Sequence, residues 1–189
     1  ASFINLFTLD SQGDMYIADG LGEIRKYAAN GKLDTSWGKD GTLGNVDMSG
    51  GGVYHQAGGL AADGLGNLYA LDTPCGYGET HIYRYDKALK PDAKWNANAS
   101  RYAGDFVDSS LVVDEKGRLY VYTSDDAYRL KPDGTKDGTW KIKYDKDYFV
   151  IVFAHNDFTY WIGDKGAVLR YDASGKSDAG WRYNGPFMF

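Results

Sequence analysis

The chain has 189 residues, a length that suits one domain or two small ones. At 43% hydrophobic and 25% charged it has an ordinary soluble globular composition, not that of a disordered chain. Its formal charge of −5 argues against a nucleic-acid partner, because phosphate binding needs a basic surface. No apolar run approaches the ~18 residues that would cross a bilayer, and the single Cys75 excludes an internal disulfide and a multi-cysteine zinc site. The 25 glycines and 16 tyrosines point to many short strands joined by tight turns.

In chain order, the first expected element is an apolar run from Ile4 to Leu9, hydrophobic on both faces as a buried strand would be. It ends in Asp10-x-x-Gly13-x-x-Tyr16. The Asp caps its own backbone, and the Gly three residues on accepts a positive φ. A second strand, Met15 to Ala18, and a third, Ile24 to Tyr27, follow. A turn at Asn30-Gly31 then leads to Asp34-x-x-Trp37, around which a fourth strand is expected. The same four signals recur in phase. The anchors are Asp63/Gly66/Tyr69, Asp114/Gly117/Tyr120 and a degenerate His155/Phe158/Trp161. The closing pairs are Asp92/Trp95, Asp137/Trp140 and Asp178/Trp181. Between them lie Ile82 to Tyr85, Ala127 to Leu130 and Val168 to Tyr171, each carrying an Arg. A period of roughly 40–50 residues with four strands per unit is the signature of propeller blades. The expectation is an all-β, single-domain β-propeller of four-stranded antiparallel blades, with repeats at about 1–47, 48–100, 101–145 and 146–189.

The run from Tyr27 through Asn30-Gly31, Leu33-Asp34, Trp37-Gly38 to Gly41 resembles the delta-sixty repeat of bacterial surface propellers. Gly13 to Asp19 with Ile24 to Tyr27 resembles the NHL repeat. The resemblance covers the chain and fades toward the fourth repeat. It implies a bacterial propeller that is extracellular, on the cell surface or periplasmic, and it names no substrate. The two ends of the chain fall at the same phase of the repeat. That leaves two closures open: a closed four-blade ring, which is favoured, or an arc of a larger propeller.

Repeated residues usually serve the repeat. Asp10, Asp63 and Asp114, and Trp37, Trp95, Trp140 and Trp181, are therefore expected to be structural. Asp19, Asp72 and Asp164 end second strands and belong near one rim. They are expected to cap turns, and they become a divalent-metal set only in the alternative reading. Departures from the repeat hold the binding candidates, because function often sits on loops over a rigid scaffold. These are Tyr54 and His55 in the Gly-rich excursion 38–59, and Tyr77, Glu79 and His81 in the insertion 73–81. Cys75 and His81 make a weak nucleophile–base pair without an oxyanion motif. A three-histidine metal site would need His55, His81 and His155 to converge. The favoured function is a non-enzymatic binding or assembly module without a cofactor, contacting protein or glycan and able to sit within a larger assembly. The alternative is a metal-assisted lactonase- or lyase-like propeller enzyme.

Overall fold

The computed structural model describes residues 4–19, 23–44, 55–74, 81–100, 110–123, 126–142, 150–162 and 168–183. Within them the chain forms four consecutive antiparallel sheets. The first holds β1 (Ile4–Leu9), β2 (Met15–Asp19), β3 (Ile24–Tyr27) and β4 (Thr42–Leu43). The second holds β5 (His55–Ala62), β6 (Leu68–Pro74) and β7 (His81–Tyr85), with helix α1 (Ala93–Ala99) after it. The third holds β8 (Ser110–Val113), β9 (Leu119–Tyr122) and β10 (Ala127–Leu130). The fourth holds β11 (Val150–His155), β12 (Phe158–Ile162), β13 (Val168–Tyr171) and β14 (Ser177–Tyr183). The first strands β1, β5, β8 and β11 line one shared cavity of about 350 Å³, so the sheets are set around a common centre.

Local chemistry makes the first hairpin of each of the first three sheets. The Asp10 carboxylate accepts the amides of Gln12 and Asp14, Asp63 those of Leu65 and Asn67, and Asp114 those of Lys116 and Arg118. These bonds hold the chain in a tight turn that two facing strands alone would not define.

The fourth hairpin departs from this pattern. His155 pairs directly with Phe158, and the two residues between them, Asn156 and Asp157, both have positive φ, 50° and 66°. A two-residue turn with the twist of the flanking strands requires that conformation. The shorter turn moves the repeat by one residue. Tyr160, not Trp161, takes the place of Tyr16, Tyr69 and Tyr120: in register these four face Arg170, Lys26, Arg84 and Arg129. Because side chains alternate along a strand, Trp161 turns to the opposite face. There it packs between Tyr122 and Tyr171.

A fourth strand around each Trp is only partly what forms. In the second repeat Trp95 sits in α1. Asp92 accepts the Trp95 amide at the helix N-terminus, and the alanine-rich run Ala93–Ala99 favours helix over strand. In the third repeat Trp140 follows a turn closed by a bond from its amide to the Asp137 carbonyl, with no strand among the described residues there.

Three hydrophobic clusters account for the core among the described residues, one at each junction between successive sheets. Tyr16, Trp37, Leu60 and Tyr85 join sheets one and two. Tyr69, Trp95, Leu111 and Leu130 join two and three. Tyr120, Trp140, Trp161 and Tyr171 join three and four. None of the three clusters joins sheet four to sheet one.

Candidate functional site

Every sheet carries the same four-residue cluster, and sheets one, two and three turn it toward the sheet that follows. The tyrosine and tryptophan rings meet edge to face, with centroids 5.6 Å apart for Tyr16–Trp37, 5.5 Å for Tyr69–Trp95, 5.5 Å for Tyr120–Trp140 and 5.3 Å for Tyr160–Trp181. A cation pairs with the aspartate that precedes each Trp: Lys26 with Asp34 at 3.2 Å, Arg84 with Asp92 at 3.7 Å, Arg129 with Asp137 at 2.6 Å, and Arg170 with Asp178. Two of these arginines also reach the next sheet. Arg84 donates to the Pro132 carbonyl and Arg129 to the Ala173 carbonyl, each at 3.0 Å. In sheets two and three the cluster is therefore a joint, with aromatic packing, an ion pair and a backbone hydrogen bond working on one turn, and in sheet one aromatic packing and the ion pair make it.

Arg129 and Asp137 form the most buried of these pairs. Burial pushes the Asp137 carboxyl upward, but the Thr139 hydroxyl and amide and the Arg129 guanidinium outweigh it and hold the carboxyl at about 2. The folded value lies below the ordinary 3.8, so the charged form contributes stability above about pH 4 that is lost as pH falls toward 2. At neutral pH this is on the order of 2 kcal/mol. We expect Asp137→Asn to lower the urea midpoint at pH 6 and to lower it by only about a third as much at pH 2.5. An equal gap at both pH values would contradict this.

The anchor aspartates are committed to their own hairpins. Beyond the two turn amides, Asp63 accepts from the Asn67 side chain at 2.7 Å and the Tyr69 hydroxyl at 3.1 Å. Asp114 pairs with Arg118 at 2.5 Å and accepts from the Tyr120 hydroxyl, and Asp10 accepts from Tyr16. Burial raises the Tyr16 phenol to about 12, so it stays protonated and donates. The hairpin tips of the first three sheets border a groove of about 600 Å³ with Ser11, Leu65, Glu115 and Lys116 on its walls.

The opposite rim holds Asp19, Asp72, His55 and His81. Asp19 and Asp72, both buried, end β2 and stand near the end of β6. Asp19 accepts the Glu23 amide, as a turn cap does. Asp72 stands directly across from His81 in the β6–β7 ladder, on the same face of the sheet. His55 opens β5 opposite Pro74. Among the expected site residues, Tyr54, Tyr77, Glu79 and Asp164 lie outside the described residues, as does Cys75. His155 sits at the far end of its strand, on the anchor side and 3.8 Å from Glu115, so the three histidines do not converge. Among the described residues no group of three or more His, Cys, Asp or Glu is placed to hold a metal ion. Within the excursion 38–59, β4 and the first residues of β5 are regular strand, and 45–54 lie outside the described residues.

No protein-family model matches the chain, and no curated protein matches it. Solved structures do match in shape. A gluconolactonase from Xanthomonas campestris superposes with a TM-score of 0.59 at 14% identity, covering 93% of this chain and 60% of that one. A computationally designed protein, Ika8, gives 0.55 at 11% identity, covering 92% and 46%. A DUF4623 family protein from Bacteroides eggerthii gives 0.55 at 10% identity, covering 91% and 46%. The chain thus spans about half to three-fifths of the length of these structures. Together with the four sheets around one centre, the comparison defines a propeller-like all-β fold. Among the described residues no helix is long and apolar enough to cross a membrane.

The cations of the joints were not among the residues singled out from the sequence. Their signal was there: Lys26, Arg84, Arg129 and Arg170 each precede the paired aspartate by eight residues.

Proposed function

We propose that the chain is a non-enzymatic binding module of an extracellular, cell-surface or periplasmic propeller, contacting a protein or glycan through the rim opposite the anchor turns. The observation that carries this reading is the pairing of His55 with Pro74 in the β5–β6 ladder. It roots the excursion 45–54 and the insertion 75–80 at the same end of the second sheet. His81 opens β7 at that same end, Tyr54, Tyr77 and Glu79 belong to those two segments in the sequence, and aromatic groups of this kind are enriched at contact surfaces. The anchor and joint aspartates support the same reading, because their hydrogen bonds are taken up by turns and joints. To test it, each of 45–54 and 75–80 is replaced by a two-residue turn. Binding is then read on a glycan array and by cross-linking to cell-surface proteins, with circular dichroism as the control for folding. Binding by the parent that the folded variants lose is the expected result. Unchanged binding in both variants would overturn the reading.

A second reading, a metal-assisted lactonase- or lyase-like enzyme, draws on the Asp72–His81 rung and on the shared fold of the gluconolactonase. The described residues do not supply a metal-binding set for it. Metal analysis of the purified protein with a lactone-hydrolysis assay separates the two. A stoichiometric, tightly held divalent ion with turnover lost in Asp72→Asn would favour the enzyme.

A further inference from the structure

We propose that two copies of this chain join head to tail, the open face of sheet four in each docking on the open face of sheet one in the other, to close a ring of eight sheets. This inference is independent of what the rim binds. It rests on the joint that the chain makes three times and that, among the described residues, is unmade on the outer faces of sheets one and four.

The leading face of the joint is complete on sheet four. Tyr160 meets Trp181, Arg170 pairs with Asp178 and lies over the Phe158 and Trp181 rings, and Phe153 stacks on Tyr160 at 4.2 Å. In sheets one, two and three the corresponding Trp is buried at 6%, 2% and 4% exposure, under the sheet that follows. On sheet four no described sheet follows, Trp181 is only half-buried, and Phe153 is 47% exposed.

The receiving face is equally complete on sheet one. At the second and third joints the preceding Trp segment lies against a turn glycine of the next sheet. A Cβ on Gly134 would stand 2.7 Å from the Trp95 carbonyl, and one on Gly175 would stand 2.5 Å from the Lys141 carbonyl. At the first joint the same turn position is Leu89, whose side chain fills the space beside Gly38. The equivalent glycine of sheet one is Gly31, which closes the same turn with a like positive φ and whose Cβ would meet nothing within 4 Å among the described residues. Beside this empty seat, Phe7 and Leu9 of β1 are 66% and 55% exposed, on the side of the strand away from sheet two. They stand where Leu60, facing backward from sheet two, is buried at 6%.

A head and a tail of this kind fit each other and not themselves, so the contact is heterologous and closes only if the rotation completes a circle. This chain spans 46% of the length of two of the solved structures above and 60% of the third, and two copies supply the length of the first two. The repeat also specifies the new contacts. Arg170 donates to the Ala29 carbonyl, as Arg84 does to Pro132 and Arg129 to Ala173, and the Trp181 segment seats on Gly31.

The test is native mass spectrometry with light scattering across low to high micromolar protein. The parent is expected at twice the chain mass. Phe7→Asp spoils only the receiving face and Phe153→Asp only the leading face. Both residues are exposed, so each variant is expected to fold, with near-ultraviolet circular dichroism as the check. Each variant alone is expected as a monomer. An equimolar mixture is expected to yield a one-to-one dimer, since one intact head still meets one intact tail. A parent that stays monomeric throughout would overturn the proposal and leave the faces to further repeats of a longer chain. So would a parent dimer that survives both substitutions, or a mixture of folded variants that stays monomeric while the parent dimerises.

Discussion

Trp95→Ala is expected to lower folding stability by about 3–5 kcal/mol, the range for deleting a large aromatic from a core. Trp95 is 2% exposed and lies at the centre of the joint between sheets two and three, edge-on to Tyr69 and against Gly134. Its loss opens a cavity bounded by backbone on one side, and a sheet edge cannot collapse into it as a loop would. Domains of this size have only about 5–15 kcal/mol to lose. Urea unfolding followed by far-ultraviolet circular dichroism measures the change. A loss of about 1 kcal/mol or less would place Trp95 outside the load-carrying packing of the joint. Trp181→Ala in the isolated chain is expected to cost much less, because the same ring is only half covered there.

Arg129→Met is the second large effect expected, again about 3–5 kcal/mol, the cost of removing one partner of a buried ion pair. The Arg129 side chain donates twice to Asp137, at 3.0 and 2.6 Å, and once to the Ala173 carbonyl of the next sheet. Methionine keeps much of the volume but leaves the Asp137 charge and that carbonyl without their donor. Adding Asp137→Asn removes the stranded charge while an amide oxygen still accepts from Thr139, so the double variant should recover part of the loss. A double variant no more stable than Arg129→Met would show that the ion pair is not what the joint depends on.

The repeat was legible because turn chemistry is local. Asp10-x-x-Gly13 and its two copies specify their hairpins through bonds two and four residues long, which spacing alone exposes. The exceptions came from effects that spacing does not show. The two-residue turn at Asn156-Asp157 lacks glycine, and it moved the matching aromatic from Trp161 to Tyr160. The helix Ala93–Ala99 formed where a strand was expected, because the aspartate that marks the repeat also caps helices. The ion pairs of the joints keep a constant eight-residue spacing in the sequence, and setting β3, β7, β10 and β13 beside the segments that follow them turns that spacing into contact. The binding candidates were legible only as departures from the pattern. The β5–β6–β7 ladder brings His55, Pro74 and His81, the described residues that flank two of those departures, to one end of the second sheet.

The central claim is that the chain builds the same joint repeatedly, with three joints filled and the outer faces of sheets one and four uncovered among the described residues. Fluorine NMR of the Phe7→Asp variant labelled with fluorotryptophan tests this most directly, each of the five lines being assigned by a Trp→Phe substitution. A soluble gadolinium chelate broadens the lines of exposed rings. The account predicts sharp lines for Trp37, Trp95, Trp140 and Trp161 and strong broadening for Trp181. Broadening of Trp37, Trp95 or Trp140 to the level of Trp181 would contradict it, as would protection of all five rings alike.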